Sequence, residues 1–121
     1  MRRDAQRLLD IVEATAVVAR YLQNLNKDHF LAGGLVQDAI LRQLTVVGEA
    51  AYKISRNLKA RHPEIPWHQI AGFRHRLVHD YFGIDLDAVW KIATTELPLL
   101  AEQATIVLGT EFPEESNGPQ T

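Results

Sequence analysis

The chain's densest chemistry is RHRLVHDYFG, residues 74–83, where Arg74, His75, Arg76, His79, Asp80 and Tyr81 crowd into eight positions. On a helix turning about 100° per residue, Arg74 and Tyr81, seven apart, share nearly one face. His75 and His79 form an i, i+4 pair on another. Arg74 and His79, five apart, point roughly 140° away from each other. They converge only if the arginine reaches around the helix, if the helix opens near His79, or if two copies of the chain meet.

Three chemistries compete for this cluster. Two histidines at i, i+4 are half of a zinc site. Here Arg76 lies between them where a zinc protease carries its glutamate, and Arg74 and Arg76 repel a cation, so no metal is expected. A purely structural terminus is the second reading: the dipole at a helix carboxyl end favours a His79 imidazolium, and Arg76 can pair with Asp80 at i, i+4. The third is phosphate chemistry. Arginine grips phosphate oxygens with a rigid fork of donors, and histidine moves protons near neutral pH. Together they suffice, in principle, to cleave RNA without metal: histidine acts on the ribose 2′-hydroxyl or the leaving oxygen, and arginine stabilises charge building on the phosphate. A cyclic phosphate would result, and the need for a 2′-hydroxyl would select RNA over DNA. Spacing alone leaves the structural and phosphate readings open.

The elements around the cluster read as helices throughout. A first helix is expected over about Asp4 to Leu25, with Leu8, Ile11, Val12, Val18, Ala19 and Leu22 inward and Thr15 the one polar member of that stripe. Asn26 suits a stop and the next N-cap, a short helix covers Lys27 to Ala32, and Gly33-Gly34 turns the chain. A long helix follows from Leu35 to Lys59, with Lys53, Arg56 and Lys59 complementing its carboxyl end. After the Pro63–Pro66 linker, a helix from Trp67 to Tyr81 carries the cluster, with Ile70, Phe73, Leu77 and Val78 inward and Gly83 capping it. Asp85 caps a final helix, with Leu86, Val89, Trp90, Ile92, Ala93, Leu97 and Leu100 facing in, which Pro98 should kink or split. With no strand alternation and no repeat, the fold class is all-α, a bundle of four or five helices.

Composition narrows the setting. The 121 residues suit one domain with a real core and contain no cysteine, which excludes disulfide scaffolds and thiolate zinc sites. No run approaches the ~18 apolar residues of a membrane span, and the basic N-terminus lacks the apolar core of a signal peptide, so a soluble cytoplasmic protein is expected. Net charge is −2. The stretch after Gly109 holds Glu111, Glu114 and Glu115 and no basic residue; setting those three aside leaves 12 of the 15 acidic residues against 13 basic ones. The body is near neutral, so any basic footprint must be local. Residues 1–108 are expected to form the helical domain and 109–121 an acidic, disordered tail. Glu49, within the apolar run Val46 to Ala51, reads as a buried carboxylate in need of a partner, either Arg42 on the same face or Arg74 across the bundle. Trp67 and Trp90 read as anchors of the core or an interface, and His29, His62 and His68 as surface groups.

Arg74, four residues, His79, one residue, Tyr81 matches the R-x4-H-x-Y motif of HEPN ribonucleases. Together with Ile65-Pro66-Trp67, Gly72, Tyr81-Phe82-Gly83 and the middle helix bearing Arg42 and Gly48-Glu49, the chain resembles the HepT toxins of toxin–antitoxin systems over roughly residues 4–107. The resemblance implies a HEPN-type bundle that forms homodimers, with two motifs facing across a groove. It makes Arg74 and His79 the catalytic pair of a metal-independent endoribonuclease that needs no cofactor. It implies a minimal nucleotidyltransferase as the antitoxin partner, transferring AMP from ATP onto the motif tyrosine, here Tyr81. His75, Arg76, Asp80 and Glu49 would support RNA contact. His75 departs from the family's usual small polar residue at that position, and its larger, titratable ring is either a second acid–base group or a mark of altered activity. The competing function is a non-catalytic helical module that binds a nucleotidyltransferase or a nucleotide.

Overall fold

A computed structural model describes residues 2–73 and 84–117. The described helices are α1 (Arg2–Leu22), α2 (Lys27–Leu31), α3 (Leu35–Lys53), α4 (Arg56–Arg61) and α5 (Trp67–Ala71). After the motif segment come α6 (Leu86–Lys91), a π-helical turn (Ile92–Glu96), α7 (Leu97–Glu111) and α8 (Pro113–Asn117). No strand occurs among the described residues, and the architecture is the expected all-α bundle. α1 is its centre, packed along both α3 and α7, while α5 packs on α3 and α2 on α6.

The buried face of α1 is Ala5, Leu8, Ile11, Ala14 and Val18, a helical stripe closed over by the core. Ala19 is exposed rather than inward, because the stripe drifts toward Ala14 and Val18. Thr15 is buried within the stripe, and its hydroxyl donates to the Ile11 carbonyl at 2.8 Å, so its polarity is met inside its own helix. α1 stops at Leu22, short of Leu25, and Asn24 takes the left-handed conformation (φ 61°) that asparagine tolerates. Asn26 caps α2 by accepting from the His29 N–H at 2.8 Å. Gly33 and Gly34 turn the chain at φ 93° and 104°, values that a side chain would strain.

The long helix expected to reach Lys59 instead breaks after Lys53. Ile54 is extended (ψ 141°) and Ser55 starts a new helix, α4. The cause lies far away in the sequence. The carboxylate of Asp4, itself 3% exposed, accepts from the Ser55 N–H at 2.9 Å and from its hydroxyl at 2.6 Å. The Ser55 oxygen in turn accepts from the Leu58 N–H, capping α4 and seating Leu58 fully in the core. Lys53 therefore ends α3 as a dipole-complementing cation, whereas Arg56 opens the next helix.

α5 ends at Ala71 with Gly72 as its cap and Phe73 is helical again, so the helix expected from Trp67 to Tyr81 is broken at Gly72, and its part from Arg74 on lies outside the described residues. Ile70 and Phe73 are buried as expected; Leu77, Val78 and Gly83 lie outside the described residues. Trp67 is an anchor in the core, its indole N–H donating to the His62 carbonyl at 2.9 Å. Trp90 packs on Phe30 with ring centroids 5.4 Å apart, which joins α6 to α2. Asp85 caps α6 by accepting from Ala88 N–H at 3.1 Å. Pro98 splits the last helix as expected. Proline offers no N–H to the carbonyl four residues back, and the preceding turn widens so that Leu97 N–H reaches Ile92.

α7 runs through Gly109 to Glu111, where a clamp closes. The Arg61 guanidinium donates to both Glu111 carboxylate oxygens at 3.0 Å, and the His62 ring shares a 2.6 Å hydrogen bond with the same group. His62 is thus partly buried, not the surface group its sequence context suggested. Hydrogen bonds from Arg61, then His62, hold the Glu111 carboxyl down to about 2 from its ordinary 4.5. Among the described residues no helix is long and apolar enough to cross a membrane.

Candidate functional site

Arg74, His75, Arg76, His79, Asp80 and Tyr81 lie outside the described residues, and the described residues hold the two ends of their segment. Both ends are anchored. Phe73, 3% exposed, enters the core immediately before Arg74, and Ile84 packs against the core immediately after Gly83. Gly72 bears on the entry too. A Cβ there would sit 3.3 Å from the Gln69 carbonyl oxygen, so a larger residue would push on the turn that ends α5.

Ile84 also lines a groove of about 650 Å³ between α1 and α3. α1 contributes Arg7 and Asp10; α3 contributes Asp38, Arg42, Thr45 and Glu49 as the polar wall, with Leu41 and Ala50 beneath. The α3 members follow the i, i+3, i+4, i+7 rhythm of one helix face. That face is distinct from the one bearing Ile40, Leu44, Val47 and Ala51, which is buried. The groove therefore begins where the motif segment ends.

Glu49 belongs to this groove. Its side chain is 38% exposed and pairs with Lys53 at 3.4 Å, one turn on. The buried carboxylate expected from its apolar neighbours is corrected by the helical phase: Val47, Gly48, Ala50 and Ala51 turn inward while Glu49 turns to the groove mouth. Arg42 lies on the same face, as the seven-residue spacing required. On the opposite wall Arg7 and Asp10 pair at 3.9 Å, and Gln6 donates to Asp10 at 2.9 Å. Arg7 and Asp10 fall outside the buried stripe of α1, and nothing in their own sequence neighbourhood says that α3 faces them. Among the described residues no group of three or more His, Asp or Glu converges as metal ligands.

Comparison with known proteins supplies the context. A family model described as "Ribonuclease HepT-like" matches residues 11–107, a span that contains α3, the whole motif and α6. The chain belongs to the HepT-like ribonuclease family. It is 37% identical over 93 residues to a probable ribonuclease HepT of Thermococcus cleftensis, covering 77% of this chain and 84% of that protein. Two proteins of Methanocaldococcus jannaschii that are named as candidate RNases are 31% and 33% identical. The first match covers 88% of this chain and 98% of that protein; the second covers 84% and 85%. No solved structure matches the chain. In this HepT-like chain, the groove residues Arg7 and Asp10 precede the matched span, whereas Arg42 and Glu49 fall inside it.

Proposed function

We propose that the chain is a toxin: a metal-independent endoribonuclease that works as a homodimer and is silenced by a nucleotidyltransferase antitoxin through AMP transfer to Tyr81. The observation that carries this reading is membership in a ribonuclease family whose matched span contains Arg74-x4-His79-x-Tyr81. In the reaction, the ribose 2′-oxygen attacks the adjacent phosphorus as His79 takes its proton. The bond from phosphorus to the 5′-oxygen breaks, and an imidazolium, from the same or the partner chain, protonates the leaving oxygen. A 2′,3′-cyclic phosphate and a 5′-hydroxyl result. The Arg74 fork meets the charge that grows on the non-bridging oxygens.

A dimer answers the geometry, because two chains face to face pool two arginines and two histidines and remove the need for Arg74 to reach around its own helix. For silencing, the Tyr81 hydroxyl attacks the α-phosphorus of ATP and pyrophosphate leaves. The new phosphodiester adds bulk and negative charge beside Arg74 and competes with RNA for it. Incubating the purified chain with the nucleotidyltransferase and ATP tests the second half: the mass of one adenylyl group (AMP less water) should appear on Tyr81, and no mass in Tyr81→Phe. AMP found on another residue would remove the silencing mechanism. Growth arrest on expression without the antitoxin, lost in Arg74→Ala and His79→Ala, supports the enzyme; its absence in the unaltered chain supports a non-catalytic binding module.

A further inference from the structure

Two of the charges in the groove between α1 and α3 pair with nothing among the described residues. Asp38 and Arg42, one turn apart on α3, line it and form no ion pair or side-chain hydrogen bond among the described residues. Neither head is held by an i, i+4 pair, so both are available to a ligand over the apolar strip beside them. The strip is Leu41 and Ala50 of α3 with Ile84, the residue that follows the motif segment. From Asp38 to Glu49 the wall runs roughly 16 Å along the helix. The groove is open to solvent, and its volume of about 650 Å³ is large enough for one nucleotide.

The sign of the charge decides what kind. A channel that tracks a nucleic-acid backbone is lined with cations. This groove sets Asp10, Asp38 and Glu49 against Arg7 and Arg42, so a run of phosphates would be repelled as often as held. A single unstacked nucleotide fits the mixture. One guanidinium takes one phosphate, the apolar strip takes a base face, and a carboxylate accepts from an amino group on the base edge.

We propose that this groove is a subsite for one unpaired nucleotide of the RNA, next to the cleaved position, with Arg42 holding its phosphate and Asp38 selecting bases that bear an exocyclic amine. This rests on the ribonuclease reading for its ligand class. Its residues lie outside the R-x4-H-x-Y motif and act on binding and base choice.

Cytosine and uracil differ at the relevant edge by an amine donor against a carbonyl acceptor, so they make the probe. Anisotropy titrations of the full chain with fluorescent, uncleavable 2′-fluoro oligo(C) and oligo(U) should show tighter binding of oligo(C). Asp38→Asn should level that preference. Arg42→Ala should weaken both by about tenfold, the order of one charge-assisted contact, and reduce the salt slope by about one. In cleavage assays it should raise KM more than it lowers kcat. Arg42 and Asp38 are exposed, so both variants should melt with the unaltered chain. Equal binding of oligo(C) and oligo(U) by the unaltered chain, or Arg42→Ala that binds both as the unaltered chain does, overturns the subsite. So does an Arg42→Ala effect confined to the antitoxin complex, which would make the groove a protein-docking face. Intact cleavage with an indifferent Arg42→Ala removes the subsite and leaves the ribonuclease. RNA binding lost in Arg42→Ala, with no cleavage by the unaltered chain, does the reverse.

Discussion

Asp4 shows how much one side chain can decide. Its carboxylate, three residues into α1, holds both the N–H and the hydroxyl of Ser55, and through them ends α3 and starts α4. Removing it leaves those two part-buried donors without their acceptor, at a cost of about 1–3 kcal/mol. Asp4→Ala should therefore lower the free energy of urea unfolding by that order. Ser55→Ala should cost less, and the double variant should cost less than the two singles together, because both act on one cluster. Strict additivity would mean that the two residues do not depend on each other. The sequence could not show this pair, because 51 positions separate them and each alone reads as an ordinary polar residue near a helix end. Asp85, by contrast, was legible because its cap closes on Ala88, three residues on. Thr15 stood out as the polar member of an apolar stripe, but only the structure shows its hydroxyl turned back to Ile11.

Among the elements, the helical periodicity of α1 and α3 could be read directly, and so could the punctuation by Asn26, Gly33-Gly34 and Pro98. The far ends of α3 and α7 could not, because tertiary contacts set them. The clamp of Arg61 and His62 on Glu111 is the second such case; it ties the end of α4 to the end of α7. Because folding holds the Glu111 carboxyl at about 2, below its ordinary 4.5, its contribution is complete above pH 4.5 and lost as pH falls through about 2. Melting curves taken from about pH 6 downward should fall less steeply in Glu111→Gln than in the unaltered chain across that window. Parallel curves would show that the clamp does not couple to folding. The groove follows the same division. Its α3 wall is a stripe that spacing discloses, whereas its α1 wall exists only because the two helices pack.

For the whole molecule, the all-α bundle and the family follow from pattern and motif together, while the homodimer that would complete the site is a proposal drawn from the family resemblance. Arg74 and His79 point away from each other on a straight helix by roughly 140°. If a second chain resolves that angle, purified Arg74→Ala and His79→Ala, each inactive, should regain part of the cleavage rate when mixed and allowed to exchange subunits. Mixing without any gain would place both residues of each site in one chain. The most direct test of the ribonuclease mechanism is RNA cleavage by the purified chain in excess chelator, compared with His79→Ala. Metal-independent cleavage giving a cyclic phosphate is expected, with a loss of about 10²–10⁴-fold in the variant, the usual worth of a general acid–base group. Cleavage that stops with chelator, or that survives His79→Ala undiminished, would contradict it.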